Sequence, residues 1–501
     1  MHRLIFAAVL VCAALIPLPA FAQAVPYDFE PAYNPNYVID TFSNQGGTVA
    51  RREGGKLVRL PNGDIVVAGR MRLVNDTLGE FFNIGLVRYN KNGLRVAWSG
   101  TTGPYFHADR QYVIFPNLPN GGSGDAKIES VDDIAYADGK IYLLVTRQFQ
   151  ASPLDRDIEV YVFNEDGTFV QNAGAIGSSV DEIGKALDVT VTNILAKPVV
   201  VTVLAERNFQ RMVVAQLAAN SSGIISLDAT FGTGGSTQVA VPTVLCNNAS
   251  ICNVMPADIA RPFRAFNANA APIYIAGAVQ RGGTDWDFLA VKLDSDGAPD
   301  TSFGFSGAQA PTFDRPGGDN GDYGTALVVD GSSFIATDTL WIVGNVSQSC
   351  KTGIGFVKLD GNGTIDNAFG AFGRIVHGGS TAVGILCNIA FNDYAADVTL
   401  QGSDIAVAAG GRRFDSASGE TIYNGVTVIA NRTTGEFRSR DTHTFMAFGE
   451  RAGNSTLKGI VPKGNGRYAV SGEGNGLGVF SLYMTAVVRP ADTIFSDGVD
   501  P

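Results

Sequence analysis

One short apolar segment recurs seven times along this chain, and that recurrence limits the fold more than any other feature. It reads Ile65-Val66-Val67-Ala68-Gly69, Ile141-Tyr142-Leu143-Leu144-Val145, Val199-Val200-Val201-Thr202-Val203 and Ile273-Tyr274-Ile275-Ala276-Gly277. It returns as Leu340-Trp341-Ile342-Val343-Gly344, Ile405-Ala406-Val407-Ala408-Ala409 and Tyr468-Ala469-Val470-Ser471-Gly472. Each segment is apolar on both faces, as expected of a central strand sandwiched between neighbours. The fifth position is Gly in four copies, which predicts a close approach of another backbone there.

A second strand follows each first one, clearest as Phe288-Leu289-Ala290-Val291-Lys292-Leu293 and Ile354-Gly355-Phe356-Val357-Lys358-Leu359. A turn then closes it: Asn90-Lys91-Asn92-Gly93, Asn164-Glu165-Asp166-Gly167, Asn220-Ser221-Ser222-Gly223, Asp294-Ser295-Asp296-Gly297 and Asp360-Gly361-Asn362-Gly363. Asn or Asp at the start bonds the backbone two residues on, and Gly at the end accepts positive φ. A third piece, Asp-x-x-Phe-Gly, occurs at 228–232, 300–304 and 366–370. Its Phe is expected to plug the space between neighbouring units.

A unit of three or four short strands with two apolar faces cannot bury both alone. Radial stacking buries them and leaves only short edges. The expected fold is therefore all-β, a seven-bladed β-propeller over residues 23–488, made of degenerate repeats. Asp40-Thr41-Phe42 looks like the tail of a repeat, and the last copy lacks that tail. The N-terminal segment is thus expected to lend the last blade a strand and close the ring.

These pieces at this spacing resemble the delta-60 repeat family of bacterial exported proteins, most clearly from Ile273 to Gly373. The resemblance implies a β-propeller and export, and it implies no particular chemistry.

The two ends carry separate signals. Residues 1–22 read as a signal peptide: His2 and Arg3, an apolar run from Leu4 to Leu18, then Ala20-Phe21-Ala22 before cleavage at Gln23. The run is short for a bilayer span, which needs about 20 apolar residues. The expected location is periplasmic, cell-surface or extracellular. Residues 489–501 form a tail whose Ile494-Phe495-Ser496-Asp497-Gly498 resembles an Ile-Phe-x-Asp-Gly ending found on exported Gram-negative proteins.

Composition narrows the partners. Net charge is −11, and becomes −12 once Arg3 leaves with the signal, which argues against nucleic acid and anionic lipid. The expected partner is a protein or carbohydrate, and the expected state a monomer. Of five cysteines, Cys12 departs and Cys246, Cys252, Cys350 and Cys387 remain. An even number in an exported chain predicts two disulfides. Three pairings are open; Cys246 with Cys252 and Cys350 with Cys387 is preferred.

Catalytic signatures are sparse. His107, His377 and His443 fall in different copies with no metal-binding spacing, and no nucleophile elbow or phosphate loop occurs. The best calcium candidate is Asp294, Asp296 and Asp300, with oxygen ligands at alternate positions. Yet the same slot holds Lys91 in the first copy, so it reads first as a turn, and no cofactor is otherwise expected. The carboxylate pairs Asp132 and Asp133, Asp155 and Asp157, and Asp285 and Asp287 lie near strands. Trp98 and Trp286 are candidates for stacking on sugars, whereas Trp341 belongs to a central strand. The function expected is a binding or structural scaffold that uses faces and long insertions, such as residues 101–124 and 246–271. The alternative is an enzyme, a lyase or hydrolase, with its site at the mouth of a central channel.

Overall fold

A computed structural model describes residues 37–488. Left aside within that span are 41–51, 72–82, 101–111, 116–126, 152–153, 177–180, 192–197, 207–210, 221, 263–270, 314–320, 332–336, 349–350, 378–391, 416–419, 444–445, 448–449, 452–454 and 477–478. The predicted signal peptide, the C-terminal tail, His107, Cys350 and Cys387 lie outside the described residues.

The described residues are almost wholly β. After β1 (Tyr37–Asp40), the first sheet holds β2 (Arg52–Arg59), β3 (Ile65–Met71), β4 (Asn83–Tyr89) and β5 (Tyr112–Phe115). The second holds β6 (Lys127–Ala137), β7 (Lys140–Ala151), β8 (Leu154–Asn164) and β9 (Phe169–Ile176). The third holds β10 (Glu182–Val191), β11 (Pro198–Glu206), β12 (Met212–Ala219), β13 (Ile225–Leu227) and β14 (Ser236–Val239). The fourth holds β15 (Val254–Ala260), β16 (Ile273–Gly282), β17 (Asp285–Leu293) and β18 (Ala308–Gln309). The fifth holds β19 (Asp322–Asp330), β20 (Thr339–Gln348), β21 (Lys351–Asp360) and β22 (Arg374–His377). The sixth holds β23 (Asn392–Gln401), β24 (Asp404–Asp415), β25 (Glu420–Asn431) and β26 (Phe437–His443). A two-stranded ribbon of β27 (Met446–Ala447) and β28 (Glu450–Arg451) follows. The last sheet holds β29 (Ser455–Gly464), β30 (Arg467–Gly476) and β31 (Val479–Val488), and β1 completes it by pairing antiparallel with β31.

Sheets of consecutive antiparallel strands, packed face to face around an axis, make this an all-β propeller. The first strand of each sheet lies innermost: β2, β6, β10, β15, β19, β23 and β29 neighbour one another in that order, and β29 returns to β2. The core sits between sheets, where each cluster of buried side chains is shared by two consecutive ones. Val66 and Leu143 share one such layer, Tyr142 and Leu217 the next, and Ile342 and Tyr274 another.

The units are not all alike. Among the described residues six sheets have four strands, and the third has five. Its outer strand is broken into β13 and β14, both paired with β12. The same broken piece shrinks to an isolated bridge in the fourth sheet (Leu293 with Pro299) and in the fifth (Leu359 with Ile365). The break falls where Asp-x-x-Phe-Gly turns the chain.

That motif places its aromatic ring as expected. Phe231, Phe303 and Phe369 are fully buried between sheets. Each following glycine donates its N–H to the hairpin turn of the next sheet: Gly232 to Asp296 O (2.9 Å), Gly304 to Asn362 O (2.8 Å) and Gly370 to Thr434 O (2.9 Å). The first sheet makes the same joint with a different residue. Trp98 is 1% exposed, and Gly100 N–H donates to Asp166 O at 2.9 Å. Trp98 is therefore a plug between sheets, which corrects its reading as a sugar-stacking side chain. Trp341 is buried as expected, its Nε1–H bonded to Arg432 O at 3.0 Å.

The glycine at the fifth position also has its predicted reason. A Cβ on Gly277 would lie 2.2 Å from Met255 O, on Gly344 1.9 Å from Tyr323 O, and on Gly472 2.1 Å from Thr456 O. Each intruding carbonyl belongs to a β-bulge in the innermost strand. The pairing also corrects the alignment of one copy: in the third sheet the residue opposite the bulge start is Leu204, not Val203.

Candidate functional site at the channel mouth

Every innermost strand is bulged at the same level. The ladder skips residues between Gly54 and Leu57, Val131 and Asp133, Gly184 and Ala186, and Pro256 and Asp258. It does so again between Gly324 and Ala326, Ala395 and Asp397, and Leu457 and Gly459. A bulge leaves the extra residue out of the pairing and re-aims its side chain. The residues released here are Gly55 with Lys56, then Asp132, Lys185, Ala257, Thr325, Ala396 and Lys458. Five of these sheets contribute Lys56, Asp132, Thr325, Ala396 and Lys458 to the wall of one cavity of about 420 Å³, with Arg70 and Glu473 beside them.

Just past the bulge, three sheets carry an aspartate. Each accepts one N–H from its own strand and one from the next sheet. Asp133 takes Ile134 N–H (2.9 Å) and Leu187 N–H (2.8 Å). Asp258 takes Ile259 N–H (2.8 Å) and Leu327 N–H (2.6 Å). Asp397 takes Val398 N–H (2.9 Å) and Ile460 N–H (2.9 Å). The three latches thus tie the second sheet to the third, the fourth to the fifth, and the sixth to the last.

Lys56 sits among these carboxylates, its Nζ 3.5 Å from Asp133 Oδ1. Burial alone would lower its pKa, but the fields of Asp133, Asp258 and Asp397 outweigh that and hold it above the ordinary lysine value. Burial pushes Asp258 up to about 7 and Asp397 to about 6, with Lys56 opposing in both. Asp132, at the mouth itself, is pushed up to about 6 by burial, although Ser130 Oγ–H and Thr146 Oγ1–H each donate to it at 2.6 Å. Lys185 is lowered by burial, with Asp132 opposing. At the rim Lys458 Nζ lies 3.3 Å from Glu473 Oε1.

The other residues singled out from sequence do not gather there. Asp294 is occupied by its turn, accepting N–H bonds from Asp296 (2.9 Å) and Ala298 (2.8 Å). Asp300 accepts from Ser302 and meets Lys292 Nζ at 2.8 Å. Asp294 is thus engaged by its own turn, and Asp300 by its turn and by Lys292. Asp132 and Asp133 divide between mouth and latch. Asp155 and Asp157 meet Glu182 across the second and third sheets, their oxygens within 4.8 Å of one another. Burial and the two neighbouring acids push Asp157 up to about 7. Asp287 is buried against Arg281. Trp286 packs against Tyr323, the ring centroids 5.8 Å apart and the planes tilted by 32°.

Two histidines are described, and they stand apart. His377 lies between Phe356 and Phe437, with ring centroids at 5.6 and 4.6 Å, and is pushed down to about 4 by burial. His443 is buried at 2.9 Å from Thr427 Oγ1 and is also lowered to about 4 by burial. Cys246 and Cys252 form the expected disulfide, with Cα atoms 5.6 Å apart.

Sequence reading missed Lys56, Asp258, Asp397 and Lys458. The signal was present: Asp133-Ile134, Asp258-Ile259 and Asp397-Val398 occupy one place ahead of the central strand.

No family model matches the chain, and no curated relative matches it. Among solved structures it is similar to a protein of unknown function from Dyadobacter fermentans, with 9% identity over 91% of this chain and 98% of that one and a TM-score of 0.39. It is similar to the Dos1 propeller, with 10% identity, 90% and 94% coverage and a TM-score of 0.40. It is also similar to Drosophila Semaphorin 2a, with 8% identity, 89% and 75% coverage and a TM-score of 0.43.

Proposed function

We propose that this chain is an exported, monomeric binding propeller of the delta-60 repeat type that takes its ligand at the channel mouth. In this reading the five-stranded sheet is a blade like the other six, because its extra strand is the bridge of its neighbours extended to three residues. The ring then has seven blades, with β1 as the closing strand of the last. The observation that carries the binding reading is the cavity of about 420 Å³, lined by bulge side chains from five sheets. Its volume lies in the range of small-molecule sites. Rigid strands position every one of these side chains, as a specific site requires. The partner class is a carbohydrate or the exposed side chain of a protein.

The test is a thermal-shift screen of the mature chain, residues 23–501, against sugars, sugar acids, amino acids and short peptides. A paired screen uses Thr325→Trp, which fills the mouth. Ligands that raise the Tm of the parent but not of the plugged protein support the reading. Equal shifts in both, or none in either, defeat it.

A second reading rests on Asp132, a half-buried carboxyl in the wall of the same cavity, pushed up to about 6. Such a group suits general acid or base work near neutrality, as a lyase or hydrolase at the mouth would need. Turnover of a ligand from the screen, abolished by Asp132→Asn with binding retained, would favour the enzyme. Intact ligand after prolonged incubation would reject it.

A further inference from the structure

Four aromatic side chains stand at one level on the face that holds the mouth, and the strand register makes them equivalents of one another. Tyr323 and Tyr394 each sit one residue ahead of the bulge in the innermost strands of the fifth and sixth sheets, opposite Asn345 and Gly410. Trp286 and Tyr423 sit in the third strands of the fourth and sixth sheets, opposite Gln280 and Arg412. Those two partners lie three residues past Gly277 and Ala409, which face the bulges. Trp286 and Tyr323 meet across the groove between the fourth and fifth sheets. In the next groove Tyr394 faces the fifth sheet, which has Thr352 in the place of Trp286. In the groove after that, Tyr423 faces the last sheet, which has Thr456 in the place of Tyr323. With a threonine rather than a ring opposite, Tyr394 is 40% exposed and Tyr423 37%.

The fold holds these rings in place. Three of them adjoin an aspartate that is only 1% exposed: Asp287 beside Trp286, Asp322 beside Tyr323, and Asp393 beside Tyr394. Successive side chains of a strand point to opposite faces, so an anchored acid fixes the ring on the other side. Asp287 pairs with Arg281, and Asp322 accepts Ser347 N–H at 3.0 Å. Asp393 takes two bonds from the Arg440 guanidinium, at 2.6 and 2.7 Å. The repeat itself does not demand aromatic residues here, since the equivalent places in the second to fourth sheets hold Ser130, Arg156, Ile183 and Met255. An exposed aromatic standing singly is ordinary. Four at one level, spread over three adjoining grooves, form a surface.

What stands beside the rings selects the ligand. Asp285, Thr352, Arg412 and Thr456 are their neighbours along and across the strands, and they offer both hydrogen-bond donors and acceptors. Flat rings separated by polar groups suit a ligand with apolar faces and polar edges. A pyranose is such a ligand: its C–H face lies on an aromatic face, and its hydroxyls donate and accept at the rim. Nucleic acid also stacks, but its phosphates are repelled by a chain of charge −11. A proline-rich peptide suits the rings, but it brings carbonyl acceptors and gives Asp285 no donor. One sugar covers one ring, whereas three grooves in a row call for a chain. We infer that this arc binds an oligosaccharide laid across the grooves from the fourth sheet to the last, its sugars on Tyr394, on Tyr423 and against the Trp286–Tyr323 pair. The inference goes beyond the channel-mouth reading and does not rest on it, because none of the four rings belongs to the wall of that cavity.

The test is calorimetric titration of residues 23–501 with cellohexaose, xylohexaose, maltohexaose and mannohexaose, each beside its own disaccharide, and with an oligoproline peptide. At least one hexasaccharide is expected to bind saturably and about tenfold or more tighter than its disaccharide, because only a chain reaches several rings. Binding should shift the emission of Trp286, since the other two tryptophans, Trp98 and Trp341, are buried at 1% and 3% exposure. Tyr394→Ala and Tyr423→Ala should each weaken binding about tenfold. Phe305→Ala removes an exposed ring beside the hairpin turns at the opposite end of the strands and should change nothing. Unchanged melting temperatures show that the variants fold, and the comparison of chain lengths needs no variant. The inference ends if no hexasaccharide binds, if hexasaccharide and disaccharide bind equally, or if both tyrosine variants bind as the parent does. It also ends if oligoproline binds more tightly than every sugar, which would make the arc a peptide site. A hexasaccharide kept by both tyrosine variants but lost in Thr325→Trp sinks the arc and upholds the channel mouth. One lost in the tyrosine variants but kept in Thr325→Trp upholds the arc, and the mouth is then judged by its own screen.

Discussion

Lys56 is set among three aspartates drawn from the second, fourth and sixth sheets. Its removal leaves those carboxylates to repel one another in a partly dehydrated place. Lys56→Met is expected to lower stability by about 3 kcal/mol at pH 8, the scale for breaking a buried charge pair. The deficit should shrink at pH 5, because Asp258 and Asp397, already pushed up to about 7 and 6, take protons more readily without the lysine. Denaturant melts of parent and variant at the two pH values check this; an equal deficit at both would mean the three aspartates do not sense Lys56. Little of this cluster was legible beforehand. Asp132 and Asp133 stood out as a pair because they are adjacent in sequence. Asp258 and Asp397 are single acids in apolar strands, and only the bulge, a two-against-one pairing, brings their column to the axis.

At the scale of the element, the joints between sheets decide what a repeat can tolerate. Phe303 is fully buried between the fourth and fifth sheets, and its ring lies 3.2 Å from where a Cβ on Gly363 would stand. Phe303→Ala is expected to cost about 3 to 5 kcal/mol through the cavity it opens. Gly277→Ala should cost more than about 2 kcal/mol, since the added methyl meets the Met255 carbonyl and only a shift of the bulge relieves it. Equilibrium unfolding reads both; near-parental stability in Gly277→Ala would show the bulge to be plastic. The central strand, the hairpin turn and the Phe plug were readable because each has a fixed local pattern. Trp98 was not, because the plug is defined by volume and by a nearby glycine N–H, and Trp98-Ser99-Gly100 supplies both with its glycine one residue later than in Phe-Gly. The third copy was read one residue out of phase because Val199, Val200, Val201 and Val203 give no internal marker, and only pairing with the bulged β10 fixes the register.

For the molecule as a whole, closure of the ring was legible from its two ends, since a repeat tail lay at one and was missing at the other. The balance of buried charge was not, and it has a consequence for stability against pH. Asp132, Asp157, Asp188, Asp258 and Asp397 are all raised in the fold by burial, to between about 6 and 7. The unfolded chain holds them near the ordinary carboxylate value, so between that value and about 7 the folded state binds more protons. Their contribution therefore improves as pH falls from 8 toward 5. His377 and His443 act in the other sense: lowered to about 4, they stay neutral while the unfolded chain takes up protons below about 6.5. Asp228, Asp300 and Asp366 are held low by their hydrogen bonds, and their stabilisation is lost only as pH falls below the ordinary carboxylate range. Five raised carboxyls outweigh two histidines, so the melting temperature is expected to be higher at pH 5 than at pH 8 and to fall again below about pH 4. Calorimetry across pH 3 to 9 reads the curve. Asp258→Asn removes one of the most strongly raised groups and should flatten its alkaline side. A parent that melts higher at pH 8 than at pH 5 would show that water reaches the latch aspartates, and that the channel is wetter than its geometry implies.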